Sequence, residues 1–246
     1  MDERMLIEEL RAAVRARDDF LSIAAHELRN PMHALALQAS SALRAAHKHG
    51  HPDLVQRLER VVLAINRYVQ RANLLLDISR INAGRLHLTC EEIDLAQIVR
   101  DAVVSYEAEA EHHGVVFNLD IPETVLLRGD RVALEQIAAN LVSNAIKYGN
   151  GAPVDLRLAR TPHRSVELVV KDHGVGISEA DQKRIFDRFE QIMTGQPRAG
   201  FGIGLWLVRS LVEAHQGAIT VESTLHQGST FTVRLPLDTN SFHADQ

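Results

Sequence analysis

The chain has 246 residues, of which 46% are hydrophobic and 24% are charged, and its formal net charge is −5. This length is sufficient for one large or two small cores, and two domains are the better expectation. The slightly acidic balance argues against nucleic acid or an anionic membrane surface as the partner. The single cysteine, Cys90, excludes an internal disulfide and is typical of a reducing compartment.

No signal peptide is evident, and no apolar run is long enough to cross a bilayer. The sequence therefore predicts a cytoplasmic chain without a membrane segment of its own. A parent protein anchored in a membrane by other segments remains compatible with this prediction.

A heptad-like apolar series, interrupted by Arg17 and Gln38, runs from Ile7 to Ala42 and predicts one long helix. Gly50 and Pro52 break it, and Asp53 is a plausible cap for a second helix. The apolar face of that helix is wider than one partner helix would cover, with members Leu54, Val55, Leu58, Val61, Val62, Ile65, Tyr68, Val69, Ala72, Leu75 and Leu76. Two such hairpins packed as a four-helix bundle would bury it, so we expect a homodimer through residues 1–85.

Beyond Gly84 the helical period gives way to short alternations, which predict an α/β two-layer sandwich. We expect a strand near Ile93 and one helix continuing to about His112. Strands are expected at 115–119, 125–127, 154–158, 166–171, 218–222 and 230–235, with helices opened by Asp130, Ser178 and Gly202.

The segment FLSIAAHELRNP, residues 20–31, places His26 almost opposite Leu28 on a helix, so His26 should face water. An exposed histidine alone is usually an ordinary surface residue. Here Glu27, Arg29 and Asn30 surround it, and Pro31 frees the carbonyl of Glu27 and weakens the helix locally.

Three further motifs suit a nucleotide. Asn140, Asn144 and Lys147 share one helix face, where an amide oxygen can bind a hard cation and a lysine can neutralise phosphate, although a polar surface stripe is equally compatible. Asp172 follows an apolar strand and precedes Gly174 and Gly176, so its carboxylate could accept a hydrogen bond from an exocyclic amine. A turn at a strand end would look the same.

The third motif is a glycine series that opens a helix and so exposes backbone amides to phosphate oxygens; its members are Gly200, Gly202 and Gly204. It is not preceded directly by a strand, and the acidic residue that a dinucleotide fingerprint requires about twenty positions further on would fall beyond the start of the next strand, so the Rossmann interpretation is rejected.

Two further segments are Phe186 and Phe189, three residues apart, which alone would usually mean core, and the closing strand with Gly228, Thr230 and Phe231. Together all these segments resemble the H, N, G1, F and G2 boxes and the closing glycine box of sensor histidine kinases, from about Phe20 to Pro236. The resemblance implies a dimeric helical phosphotransfer domain followed by an ATP-binding domain of the gyrase, chaperone and kinase superfamily. It further implies ATP and Mg²⁺ as ligands, with Mg²⁺ on Asn144. The implied nucleotide contacts are Asn140, Asn144, Lys147, Tyr148, Asp172, Gly174, Gly176, Ile177, Phe189, Gly200, Gly202, Gly204, Leu205 and Thr230.

Within this resemblance, Asp172 would read the adenine amino group and residues 191–200 would form a mobile lid. His26 would be the phosphoacceptor, Glu27 would fix its tautomer and help to remove its proton, and Arg29 would stabilise phosphate charge. Asn30 would support dephosphorylation of the partner, which is the receiver domain of a response regulator. Ala25 and Ala199 depart from the family pattern without removing a chemical role.

The expected domains are an incoming signalling helix at 1–19 from an upstream sensor domain, a dimerisation and phosphotransfer domain at 20–88, an ATP-binding domain at 89–238 and a tail at 239–246. Two other function classes share some of these features. A gyrase-like or chaperone-like ATPase needs a water-activating glutamate one turn before Asn144, where this chain has Asn140. A non-catalytic scaffold, or a variant dominated by phosphatase activity, remains the alternative.

Overall fold

The computed structural model describes residues 31, 35–51, 53–55, 57–58, 60–62, 65, 88–190 and 202–238. Its chain divides into two compact units, Met1–Leu86 and His87–Gln246. No helix among these described ranges is long and apolar enough to cross a membrane.

In the first unit, residues 35–48 are helical and Gly50 ends this helix with a φ of 68°. Such a left-handed backbone favours glycine because it has no Cβ. Helical residues resume at 53, and the carbonyl of His51 accepts from the amides of Leu54 and Val55. Asp53 is therefore already helical, and the cap position falls before it rather than on it.

The second unit begins with β1 (Glu91–Asp94), α1 (Leu95–Ser105), α2 (Glu107–His113), β2 (Phe117–Asp120) and β3 (Leu126–Gly129). It continues with α3 (Arg131–Tyr148), β4 (Val154–Thr161), β5 (Ser165–Asp172) and α4 (Glu179–Gln182). The last elements are α5 (Gly204–Ala214), β6 (Ala218–Thr224) and β7 (Gly228–Pro236). The single helix expected to continue to about His112 is wrong, because the chain leaves the helical conformation at Tyr106, where φ is −106° and ψ is 5°.

Five strands form one sheet in the order β2-β4-β5-β7-β6, in which only the β2–β4 pair is parallel, and β1 pairs with β3 in a separate two-stranded sheet. Helices α3 and α5 pack against each other, α3 also packs on β5, and α5 packs on β6 and β7. This arrangement of helices over a mixed sheet confirms the predicted α/β two-layer sandwich.

Alternation along the central strands sets the core. In β5 the side chains of Val166, Leu168 and Val170 are at most 2% exposed, and the intervening residues are less buried. In β7 the buried members are Phe231, Val233 and Leu235. Because successive strand residues point to opposite faces, the same parity places Asp172 and Ser229 on the core side at one end of the sheet.

Candidate functional site

Asp172 lies at the end of β5 and is 4% exposed. Burial raises the pKa of its carboxyl group, because a charged carboxylate is disfavoured away from water. The backbone amides of Gly174 and Ser229 oppose this by donating hydrogen bonds to the carboxylate, with a Gly174 N to Asp172 Oδ1 distance of 2.9 Å. A buried acceptor is thus held in place at the edge of the core.

The loop after Asp172 lies directly on the end of α3. A Cβ added at Gly174 would lie 1.8 Å from the carbonyl oxygen of Tyr148 and 2.6 Å from the Cα of Gly149. The amide of Val175 donates to that same carbonyl at 3.2 Å. The close approach therefore requires glycine at 174, and it joins the Asp172 strand end to the helix that carries the two asparagines.

Gly176 fixes the other side of this loop. Its φ is 67°, and a Cβ there would lie 2.0 Å from the carbonyl oxygen of Thr224 on β6. Ile177 is 9% exposed, and its amide donates to Ser223 Oγ at 2.8 Å. The loop is therefore attached to α3 on one side and to β6 on the other, and its backbone offers a side-chain-free surface next to Asp172.

Asp130 caps the start of helix α3, and its carboxylate accepts from the amide of Ala133 at 3.0 Å and from the amide of Thr89 at 2.8 Å. Asn140 and Asn144 follow one turn apart, and both are partly buried. Asn140 Nδ2 donates to the carbonyl of Gln136 at 2.8 Å. Its Oδ1 would lie 2.9 Å from a Cβ at Gly204, so Asn140 packs at the beginning of α5.

At the end of α3, Lys147 Nζ donates to Tyr148 Oη at 2.8 Å and lies 4.5 Å from the centre of the Tyr148 ring. Lys147 lies three residues after Asn144, on the same helix face as Asn140 and Asn144. The structure therefore keeps a cation near the polar face of α3, next to the loop that begins at Gly174.

Helix α5 begins at Gly204, and its N-cap residue, Ile203, makes no side-chain hydrogen bond to the first amides among the described residues. Gly202 has a φ of 66°, and a Cβ there would lie 2.4 Å from the carbonyl oxygen of Glu190. Free amides and the positive end of a helix dipole favour an anion. Asn140 and Gly204 are in contact, which brings this helix start beside the polar face of α3.

The remaining predicted contacts occupy several places. Phe189 is 67% exposed with a φ of 62°, whereas Phe186, three residues earlier, is buried. Leu205 and Thr230 are partly buried, the first in α5 and the second in β7. Some of the predicted site residues lie outside the described ranges: His26, Glu27, Arg29, Asn30, Gly200 and the predicted lid at 191–200.

The sequence interpretation missed two hydrogen-bonded groups, one beside this site and one where the end of α5 meets the start of α3. One joins Ser223, Ser229 and Gln182 to the loop at Ile177. The other is His215, which has no exposed surface; its Nε2 accepts from the amide of Asp130 at 3.1 Å and its Nδ1 donates to the carbonyl of Leu211 at 2.7 Å. His215 therefore ties the end of α5 to the start of α3.

Two family models match the chain. Residues 16–84 match the His Kinase A (phospho-acceptor) domain, and residues 129–239 match the histidine kinase-, DNA gyrase B- and HSP90-like ATPase. The chain belongs to the sensor histidine kinases. The buried Asp172 and the glycine loops around it lie within the residues that match the ATPase model.

Named relatives support the assignment to sensor histidine kinases. The sensor-like histidine kinase SenX3 of Mycobacterium tuberculosis is 32% identical over 234 residues, which cover 94% of this chain and 56% of SenX3. The circadian input-output histidine kinase CikA of Synechococcus elongatus is 34% identical over 238 residues, which cover 93% of this chain and 31% of CikA. The chain thus spans about half the length of SenX3 and a third of CikA.

Solved structures show the same fold. Full-length ShkA in complex with AMPPNP matches with a TM-score of 0.66 and 23% identity, over 90% of this chain and 46% of ShkA. The catalytic domain of the histidine kinase ThkA matches with a TM-score of 0.55 and 25% identity, over 61% of this chain and 97% of that domain.

Proposed function

We propose that this chain is an ATP-dependent protein histidine kinase that phosphorylates itself on His26. The observation that carries the proposal is the buried Asp172 carboxylate, held by two backbone amides beside a glycine loop that packs on α3. A buried acceptor of this kind suits the exocyclic amine of adenine, because the site loses binding energy when that partner is missing.

The phosphates would extend from this pocket along α3 towards α5. The Asn140 side chain on α3 and the start of α5 at Gly204 are neighbours, and Lys147 lies further along α3. Lys147 would leave the Tyr148 hydroxyl to contact phosphate oxygens, and the amides that follow Gly202 and Gly204 would receive the others. Leu205 and Ile177 would line the pocket. Thr230 alternates with the core-facing Ser229 and Phe231, so its side chain points to the opposite face of the sheet from Asp172.

The donor set of α3 fits Mg²⁺ only together with the nucleotide. A single amide oxygen from Asn144 is too few ligands for this ion, which prefers several oxygens and is commonly shared with substrate phosphates. Mg²⁺ bound there would neutralise charge on the phosphates. The role of the chain is then to hold the triphosphate in one orientation and to exclude competing geometries.

In the reaction, a ring nitrogen of neutral His26 attacks the γ-phosphorus. A nitrogen–phosphorus bond forms, the bond to the bridging oxygen breaks, and ADP leaves with the electron pair. Glu27 would accept the proton from the other ring nitrogen, and Arg29 would stabilise charge on the transferred group. The phosphoryl group would then pass to an aspartate of a response regulator receiver domain.

We also propose that Asn30 supports dephosphorylation of that receiver by positioning water. An Asn30→Ala variant should retain ATP binding and lose receiver dephosphorylation, measured on a prephosphorylated receiver. If the variant dephosphorylates the receiver as fast as the parent chain does, Asn30 has no such role.

The first unit would dimerise as a four-helix bundle. In the single chain, Leu35, Leu54 and Val61 remain between 44% and 47% exposed, although they belong to the predicted apolar series. Contact with a second copy would remove this apolar surface from water. An upstream sensor domain would supply the signal through residues 1–19, followed by phosphotransfer at 20–88 and ATP binding at 89–238.

A pair of variants separates the two halves of this function. His26→Gln should lose phosphorylation and bind Mg-ATP as the parent chain does, whereas Asp172→Ala should lose ATP binding. Binding is measured by calorimetry, and phosphorylation is measured separately. Loss of both properties in His26→Gln would contradict the assignment, and a scaffold without catalysis would show no phosphorylation in the parent chain.

A further inference from the structure

Three polar side chains form a row across the sheet at the end nearest the glycine loop. Ser223 on β6 pairs with Ser229 on β7, and Ser229 pairs with Asp172 on β5. Directly paired residues on neighbouring strands point to the same face. Ser229 and Asp172 are 5% and 4% exposed, so the row lies on the core side beside the proposed adenine pocket.

The hydroxyl group of Ser223 uses all of its hydrogen-bonding capacity. It donates its one proton to the carbonyl of Gly228 at 2.8 Å and accepts from the amide of Ile177 at 2.8 Å. Its Oγ also lies 3.0 Å from Ser229 Oγ. A serine hydroxyl has one donor and two acceptor positions, so Ser229 must be the donor in that last bond.

Both neighbours that Ser223 holds on β7 lie against Asp172. The amide of Ser229 donates to the Asp172 carboxylate. Gly228 has a φ of 93°, and a Cβ there would lie 2.0 Å from the Asp172 carbonyl oxygen. A shift of this corner of β7 would therefore move a hydrogen-bond donor of the carboxylate.

Ser223 holds the loop from its other side. Ile177 is fixed through both of its backbone groups, because its amide donates to Ser223 Oγ and its carbonyl accepts from Gln182 Nε2 at 3.1 Å. Gln182 Nε2 also donates to the Ser223 carbonyl at 2.8 Å. The loop at Gly176–Ile177 and the Asp172 carboxylate are thus both anchored to one hydroxyl group.

We propose that Ser223 is a positioning residue for adenine recognition: its hydroxyl group fixes the distance between the Asp172 carboxylate and the loop on which the base lies. Ser223 would act through Asp172 and the loop, without contacting the base itself. The inference rests on the proposed function, in which Asp172 accepts the hydrogen bond from the adenine amino group. Ser223 would therefore determine how strongly the chain prefers purines that carry that amino group.

The test uses two variants of equal size in the full chain, Ser223→Thr and Ser223→Val. Threonine keeps the hydroxyl group, valine replaces it with a methyl group, and both are β-branched residues that strands favour. Calorimetry measures the Kd of ATP and of purine riboside triphosphate, which lacks the 6-amino group. The ratio of the two Kd values reports recognition of that group, and the melting temperature reports folding.

Ser223→Val should reduce the preference for ATP by about tenfold, the size of one well-placed hydrogen bond, whereas Ser223→Thr should keep the ratio of the parent chain. An unchanged ratio in Ser223→Val would overturn the proposal. So would equal weakening of both nucleotides, which indicates a structural role only, or equal effects of valine and threonine. Asp172→Ala separates a failure of this inference from a failure of the proposed function. If Asp172→Ala leaves the ratio of Kd values unchanged, the proposed adenine contact is wrong, whatever the Ser223 variants show.

Discussion

Adding one methyl group at Gly174 should disrupt the nucleotide pocket while the backbone conformation stays permitted. A Cβ at this position would lie 1.8 Å from Tyr148 O, and atoms of this kind do not approach within 3.0 Å, so the two must separate by 1.2 Å (3.0 − 1.8). Two further contacts, each at 2.6 Å, are to the Cα of Gly149 and to the carbonyl carbon of Tyr148. Since all three atoms belong to the backbone, no side-chain rotation relieves the clash.

The separation has a cost in stability and a cost in function. Overpacking in a well-packed region costs roughly 1–3 kcal/mol, which lowers the Tm of a domain of this size by several degrees at about 2–4 °C per kcal/mol. A misplacement on the order of 1 Å in a catalytic site can cost about 100-fold in activity. Gly174→Ala should therefore remain folded at 20 °C and lose most of its ATP affinity.

The matched control is Gly114→Ala. Gly114 has a φ of 70° with no atom within 4 Å of the added Cβ, so this variant carries the left-handed backbone cost of about 1–2 kcal/mol without a clash. Scanning calorimetry gives both Tm values, and titration calorimetry gives the Kd of Mg-ATP. Gly114→Ala should bind ATP as the parent chain does. An unchanged Kd in Gly174→Ala would refute the packing of this loop on α3.

Three further predictions concern titration and the metal. Burial raises the pKa of the Asp172 carboxyl group above 3.8, so ATP affinity should fall as the pH decreases through this raised pKa. The folded chain also gains stability from the protonated carboxyl group; this gain is complete below pH 3.8 and is lost as the pH rises through the folded pKa. A series of Kd values against pH checks the binding prediction. Burial lowers the pKa of the His215 imidazole, so its contribution to stability is complete above pH 6.5 and is lost as the pH falls through the folded pKa. The urea concentration at the unfolding midpoint should therefore be higher at pH 7.5 than at pH 5.5, and this difference should shrink in His215→Gln. Asn144→Ala should abolish the strengthening of ATP binding by Mg²⁺ and leave metal-free binding nearly unchanged, as measured by calorimetry with and without a chelator.

The sequence predicts the geometry of the site best where a residue type has a single structural role. Alternation along Val166, Leu168 and Val170 predicts that Asp172 faces the core, and the glycines after it mark the close approach to α3. The break at Tyr106 was not predictable, because the apolar period continues through Val103 to Ala110 and only backbone geometry separates the two helices.

The hydrogen-bonded groups that the sequence did not reveal depend on strand register and on helix packing, which periodicity alone does not determine. Ser223 and Ser229 meet because β6 and β7 form a hairpin through Gln227, and a one-residue slip would point Ser223 to the other face. His215 and Asp130 are far apart in the sequence and meet only through the packing of α5 on α3.

The most direct measurement is incubation of the chain with Mg-ATP labelled on the γ-phosphate, followed by acid and alkali treatment, in the parent chain and in His26→Gln. The account predicts a label that is lost in acid, kept in alkali and absent from His26→Gln. A label that survives acid, or one that persists in His26→Gln, would contradict phosphorylation of His26.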